Sequence, residues 1–242
     1  MTQRKLIGVL TPSSNTALEP LTSAMLAEVP GASAHFARFP VTEISLRDSA
    51  LRQFDDSKIL DAARLLADAR VDVICWSGTS AGWLGFDTDE RLCARISDAT
   101  GIAATTSVLA LNEILALRGA RTLGLVTPYV ADVQQRIVAN YARLGIECVA
   151  ERHLDLQVNF AFSEVTPETL KQLVRDVARD RPDAISTFCT NLRAAQLVGA
   201  LEAETGVPVY DTVSMVVWKA LKLAGADTTT LRGWGRLFSE PH

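Results

Sequence analysis

Four short turns carry the side chains able to do chemistry, and one of them carries a cysteine. Asp183-Ala184-Ile185-Ser186-Thr187-Phe188-Cys189 is a short apolar run ending in a thiol, with Thr190-Asn191 directly behind it. Such a run reads as a buried parallel strand that delivers its last side chain to the start of a helix, since Thr and Asn are helix-capping types. A helix start lowers a thiol pKa, so Cys189 is the candidate reactive group. In the earlier strand Val71-Asp72-Val73-Ile74-Cys75-Trp76-Ser77, the turn Gly78-Thr79-Ser80 overlays Cys189-Thr190-Asn191 at a spacing of 111 residues. A second pair repeats at a spacing close to 115: Leu6–Leu10 runs into Thr11-Pro12-Ser13-Ser14-Asn15, and Leu123–Val126 runs into Thr127-Pro128-Tyr129.

Asn15, Thr79, Ser80, Tyr129, Thr190 and Asn191 are mostly small, neutral hydrogen-bonding residues, and no Lys or Arg lies in the four turns. Free backbone N–H groups at helix starts favour an anion, so the set suits a carboxylate and charge developing on it. Each residue also has a plainer reading. A cysteine ending a strand is commonly a core residue, Thr79 and Ser80 are ordinary helix caps, and Tyr129 is a packing residue. Cys75 lies inside its strand and reads as core, Cys93 and Cys148 as structural, and Trp76, Trp83 and Trp218 as core or wall.

The elements that must position these turns follow from periodicity. Strands are expected at Leu6–Leu10, Ala32–Phe39, Val71–Ser77, Ile102–Thr105, Thr122–Val126, Ile146–Ala150, the Cys189 run and Val207–Tyr210. Helices alternate with them, one capped by Asp55 or Asp56, one by Thr106 or Ser107, and one opened by Thr166-Pro167-Glu168. Val41–Arg52 lacks periodicity and is long enough to be a lid or mouth loop, or a plain surface loop. A loop is expected to carry His153–Phe162. The alternation predicts an α/β fold with two pseudo-symmetric lobes, each a mostly parallel sheet flanked by helices, and the site between them. The lobes are expected at 1–106 and 107–211, with the C-terminal segment 212–242 completing the first.

The 242 residues are nearly half apolar and carry a net charge of −4, enough for a full core and against a nucleic-acid groove. No apolar run has the length of a membrane span, and no secretory leader pattern opens the chain, which reads as cytoplasmic. The four cysteines form no CxxC, and the histidines (His35, His153, His242) form no metal-binding spacing, so no metal is expected. No nucleotide-binding glycine motif occurs, and no nucleotide cofactor is expected.

In this order the motifs resemble the aspartate/glutamate racemase superfamily, in its maleate isomerase and arylmalonate decarboxylase branch. The marks are Thr11-Pro12-Ser13-Ser14-Asn15-Thr16, Gly78-Thr79-Ser80, Ala99-Thr100-Gly101, Thr127-Pro128-Tyr129, Asn159, Cys189-Thr190-Asn191 and Gly235-Arg236-Leu237-Phe238. The resemblance implies two similar lobes, a cleft between them, no cofactor, and a small carboxylic acid as substrate, and leaves a homo-oligomer open. It also implies two facing cysteines in the racemases. Here Gly78 stands at the first position in a gapless alignment, and a shifted register would put Cys75 there. One cysteine facing a glycine is the decarboxylase pattern. Thr79, Ser80, Tyr129 and the Cys189-Thr190 backbone then hold one carboxylate, a second leaves as carbon dioxide, and Cys189 protonates the enediolate. Asn15 and Asn159 match the isomerase branch, where such residues bind the two carboxylates of maleate. Decarboxylation is therefore the leading expectation, maleate-type isomerisation or racemisation the alternative, and a non-catalytic carboxylate-binding protein the rival of another class.

Overall fold

Short, fully buried runs build the centre of each half. In the computed structural model, which describes residues 4–47 and 56–239, Val73–Trp76 and Ala184–Thr187 have every residue buried. That is the signature of central parallel strands covered on both faces. The first half runs β1 (Lys5–Pro12), α1 (Leu18–Ala27), β2 (Ala32–Phe39), α2 (Asp56–Asp68), β3 (Val73–Trp76), α3 (Ala81–Leu84), α4 (Phe86–Thr100), β4 (Ala104–Thr106) and α5 (Ser107–Leu117). The second runs β5 (Thr122–Thr127), α6 (Ala131–Arg143), β6 (Glu147–His153), α7 (Asn159–Phe162), α8 (Pro167–Ala178), β7 (Ala184–Thr187), α9 (Val198–Thr205), β8 (Val209–Asp211) and α10 (Thr212–Leu223). The sheets have matching orders, β2-β1-β3-β4 and β6-β5-β7-β8, and every pairing within them is parallel. The repeat expected from the paired turns is thus a repeat of topology, and the two central strands of each sheet bring all four turns to the carboxyl edges.

Local chemistry sets the helix ends. Thr106 caps α5 by accepting from Leu109 N–H (3.1 Å), Thr166 caps α8 with Pro167 behind it, and Asp211 caps α10 by accepting from Val213 and Ser214 N–H. The Asp55 or Asp56 cap expected for α2 rests on side chains outside those described. Helix α5 packs on β4 and α4, and α10 packs on α5, α1 and β3. Both terminal helices therefore belong by contact to the first sheet's side. The Gly235-Arg236 motif ties the tail to the second half. Arg236 N–H donates to Glu202 Oε2 (2.7 Å), while Trp234 Nε1–H donates to Glu28 Oε1 (2.7 Å) at the end of α1. Gly235 has φ 96°, and a Cβ on it would meet Val198 at 2.4 Å.

Three expectations need correction. Strand β6 continues to His153, pairing Thr127 with His153, so that residue is not in a loop. Residues 159–162 form the single turn α7 rather than open loop. No regular helix begins behind Cys189: Cys189 N–H donates to Thr187 O (3.1 Å), Leu192 N–H to Cys189 O (3.2 Å), and α9 starts only at Val198. The reason is that the supposed caps spend their side chains elsewhere, Thr190 on Ser77 and Asn15, and Asn191 on Thr16, Ala17 and Asn159. No helix among the described residues is long and apolar enough to cross a membrane.

Candidate active site

The turns after β1, β3, β5 and β7 meet between the halves. Thr79 Oγ1 and Tyr129 OH are 2.6 Å apart, so a residue of the first half bonds one of the second. Thr190 Oγ1 donates to Ser77 O (3.1 Å) and accepts from Asn15 Nδ2–H (3.3 Å). Asn159 Nδ2–H donates to Ser14 Oγ (2.8 Å). The resulting cleft is lined by Gly78, Thr79, Ser80, Tyr129, Asn159, Cys189 and Thr190, with an apolar wall of Pro12, Val41, Ile44, Trp76 and Trp83. It encloses about 20 Å³, room for a single water. Among the described residues, no charged side chain lines it.

Two of the predicted residues stand behind the wall. Asn15 Oδ1 accepts from Ala17 N–H (3.0 Å) and Leu18 N–H (2.9 Å). Asn191 Oδ1 accepts from Thr16 N–H (3.0 Å) and Ala17 N–H (3.2 Å), and its Nδ2–H donates to Asn159 O (2.5 Å). The start of α1 is therefore closed by two asparagines, one from each half, and its N–H groups are not offered to a ligand. The donors that remain toward the cleft are Ser80, which makes no capping bond to α3, and whichever hydroxyl of the Thr79–Tyr129 pair is not donating to the other. The backbone N–H groups of Thr79, Ser80 and Thr190 join none of the turn bonds among the described residues.

Cys189 is 3% exposed. Burial pushes its thiol up to about 11, against the downward pull of Tyr129 OH and of the Asn191 and Leu192 N–H groups. This reverses the expectation of a lowered pKa: with no helix behind it, desolvation outweighs those hydrogen bonds. Asp211 adds to the rise. Its carboxylate is fully buried, bonded by Thr187 Oγ1 (2.8 Å), and itself raised to about 6 by burial. Tyr129 is raised well above its usual value, first by burial, and stays a phenol.

Cys75 is turned away. Its Sγ–H donates to Gly8 O (3.3 Å), burial pushes it up to about 12, and it is absent from the cleft wall. Gly78 faces the cleft, and a Cβ on it would lie 2.0 Å from Trp76 Cζ2. The space that a side chain at position 78 would take is thus filled by an indole.

Pro12, Val41 and Ile44 were not singled out from sequence, although Pro12 lies in the first turn and Val41–Arg52 was expected as a lid, mouth or surface loop. The described part of that segment is a strap across the mouth. Ile44 N–H donates to Gln157 O (2.9 Å), Asn159 N–H to Thr42 O (3.0 Å), and Glu43 pairs antiparallel with Val158. The remainder, through Arg52, lies outside the described residues. No group of three or more His, Cys, Asp or Glu placed to hold a metal occurs among the described residues.

A two-lobed parallel α/β fold with a neutral, donor-lined cleft and one thiol at the lobe junction defines a class of carboxylate-handling enzymes. The chain belongs to the arylmalonate decarboxylase family, whose model matches residues 7–238. It is 31% identical to an arylmalonate decarboxylase of Bordetella bronchiseptica over 186 residues, 75% of this chain and 77% of that one. It is 28% identical to a maleate isomerase of Pseudomonas putida over 235 residues, 92% of each. The solved maleate isomerase of Pseudomonas putida S16 superposes with a TM-score of 0.90 at 26% identity, covering 98% of this chain and 99% of that one. Membership makes this chain an enzyme and sets aside the non-catalytic binding alternative.

Proposed function

We propose that the chain is a cofactor-independent decarboxylase of a malonate-type acid, with Cys189 as the proton donor. The observation that carries this reading is a single buried thiol on the cleft wall facing Gly78 and its covering indole. The retained carboxylate accepts from Ser80, from the free hydroxyl of the Thr79–Tyr129 pair, and from the Thr79 and Thr190 N–H groups. The other carboxylate lies against the apolar wall and loses its hydration there. The bond from the α-carbon to that carboxylate breaks, carbon dioxide leaves, and the electron pair spreads over the α-carbon and the retained carboxylate as an enediolate. Each well-placed donor there contributes roughly 10²–10³ in rate. The Cys189 S–H proton then passes to the α-carbon. The thiolate left behind accepts from Asn191 N–H (3.4 Å to Sγ) until water reprotonates it. A thiol held protonated at neutral pH suits this step.

Proton NMR in D2O tests the reading. Wild type should release carbon dioxide from methylmalonate or phenylmalonate and leave one deuterium on the α-carbon. Cys189→Ala should lose about 10²–10⁴ in turnover, and full activity in that variant would refute the role of the thiol. The maleate isomerase relatives, and Asn15 and Asn159, favour a second reading, cis-trans isomerisation. It requires a nucleophile that Gly78 does not supply and that Cys75 supplies only by turning round. Formation of fumarate from maleate would establish it.

A further inference from the structure

We propose that Trp76 sets the substrate class of this cleft: its indole fills the space over Gly78 and confines the substrate to compact acids with a small aliphatic α-substituent, excluding an aryl ring. The inference deepens the carboxylate-cleft reading above and rests on it.

The indole is wedged. Trp76 ends β3 between Leu10 of β1 and Thr106 of β4. Its side chain is 1% exposed, and Phe39 packs on it with ring centroids 5.0 Å apart. On its cleft side, a Cβ on Gly78 would lie 2.0 Å from Cζ2, 2.3 Å from Cε2 and 2.6 Å from Cη2. The glycine is what allows the ring to lie there, since real Cβ contacts are never this short. Across the cleft, Trp83 meets Tyr129 edge-on at 5.3 Å, and Phe162 meets Tyr129 from another side at 5.7 Å. The aromatic walls are thus already packed against partners, and a substrate ring would have to displace one of them rather than stack in a slot. Trp76 is held by β1 and β4 and not by the strap.

The test compares wild type with Trp76→Val and Trp76→Phe, with circular dichroism confirming a folded chain. Trp76→Phe keeps the experiment intact if the smaller side chain does not fold. Two measurements are made: rates on methylmalonate against phenylmalonate, and calorimetric affinities for the non-reacting acids propionate and phenylacetate. Tyr129→Phe serves as the check that binding occurs in this cleft. Wild type should prefer the aliphatic member of each pair. Trp76→Val should shift both ratios toward the aryl member by about tenfold or more, as expected for a change in pocket volume larger than a methylene, with Trp76→Phe between. A wild type that already prefers the aryl acids, or ratios within twofold of wild type in both variants, would overturn the proposal. If neither malonate is decarboxylated but the affinity ratio shifts, the decarboxylase reading fails and the role of Trp76 stands. If neither acid binds, or Tyr129→Phe leaves binding unchanged, both fail.

Discussion

Asn191→Ala separates a ligand-binding residue from an interlobe clamp, and its cost can be worked from the contacts. The side chain is 1% exposed and makes three hydrogen bonds. Of the two α1 N–H groups it serves, Ala17 keeps Asn15 Oδ1 at 3.0 Å, and Thr16 lies on the exposed side where water replaces the lost acceptor. The third bond is different: Asn159 O is buried, and its loss leaves an acceptor without a partner at about 1–3 kcal/mol. Adding about 1 kcal/mol for the weakened cap gives about 2–4 kcal/mol. In a chain of this size each kcal/mol moves Tm by roughly 2–4 °C, so a fall of about 4–16 °C is expected. Urea unfolding and a thermal melt measure it without any substrate. A variant within about 0.5 kcal/mol of wild type that nonetheless fails to bind carboxylic acids would refute the clamp and restore Asn191 as a ligand residue.

The remaining predictions concern buried acids. On the proposed role of Cys189 as proton donor, and with burial raising its thiol to about 11, kcat/KM on a confirmed malonate should stay flat from pH 7 to 9 and fall only as pH rises through that value; a fall near pH 8.5 would mean an ordinary, hydrated thiol. Asp89 is 2% exposed, its Oδ2 lacks a partner among the described residues, and burial raises it to about 7. With the folded pKa above the unfolded one, the native state holds the extra proton between about pH 4 and 7. Stability therefore falls as pH rises through that window, by about 4 kcal/mol at the limit. Asp89→Asn should remove this dependence and raise stability at pH 8 by about 1–3 kcal/mol after the cost of the buried amide; equal melting temperatures at pH 8 would count against it.

The topology was legible because a strand covered on both faces leaves a mark that survives without coordinates. Val73–Trp76 and Ala184–Thr187 read as apolar runs punctuated by turn residues, and their spacing disclosed the repeat. Capping chemistry was legible only by type. Thr190 and Asn191 are cap residues, but nothing local says which helix an asparagine caps, and Asn191 serves the start of α1 some 174 residues away. The length of Val41–Arg52 raised a mouth loop, but its docking left no mark because it runs through Ile44 N–H and Thr42 O, and main-chain bonds have no residue signature. The thiol pKa failed for a related reason: the helix-start rule assumes free N–H groups in water's reach, and burial of Cys189 is a property of the whole fold.

Gly78 shows the limit most directly. A glycine opposite a cysteine reads as a missing acid, and the same glycine is demanded by the Trp76 ring whatever the chemistry. The two causes are indistinguishable in the sequence but not in the molecule. If the glycine only marked an absent acid, Gly78→Cys alone would supply a second thiol. With the indole in place, the new side chain has no room until Trp76 moves, so residues 78 and 76 can change only together.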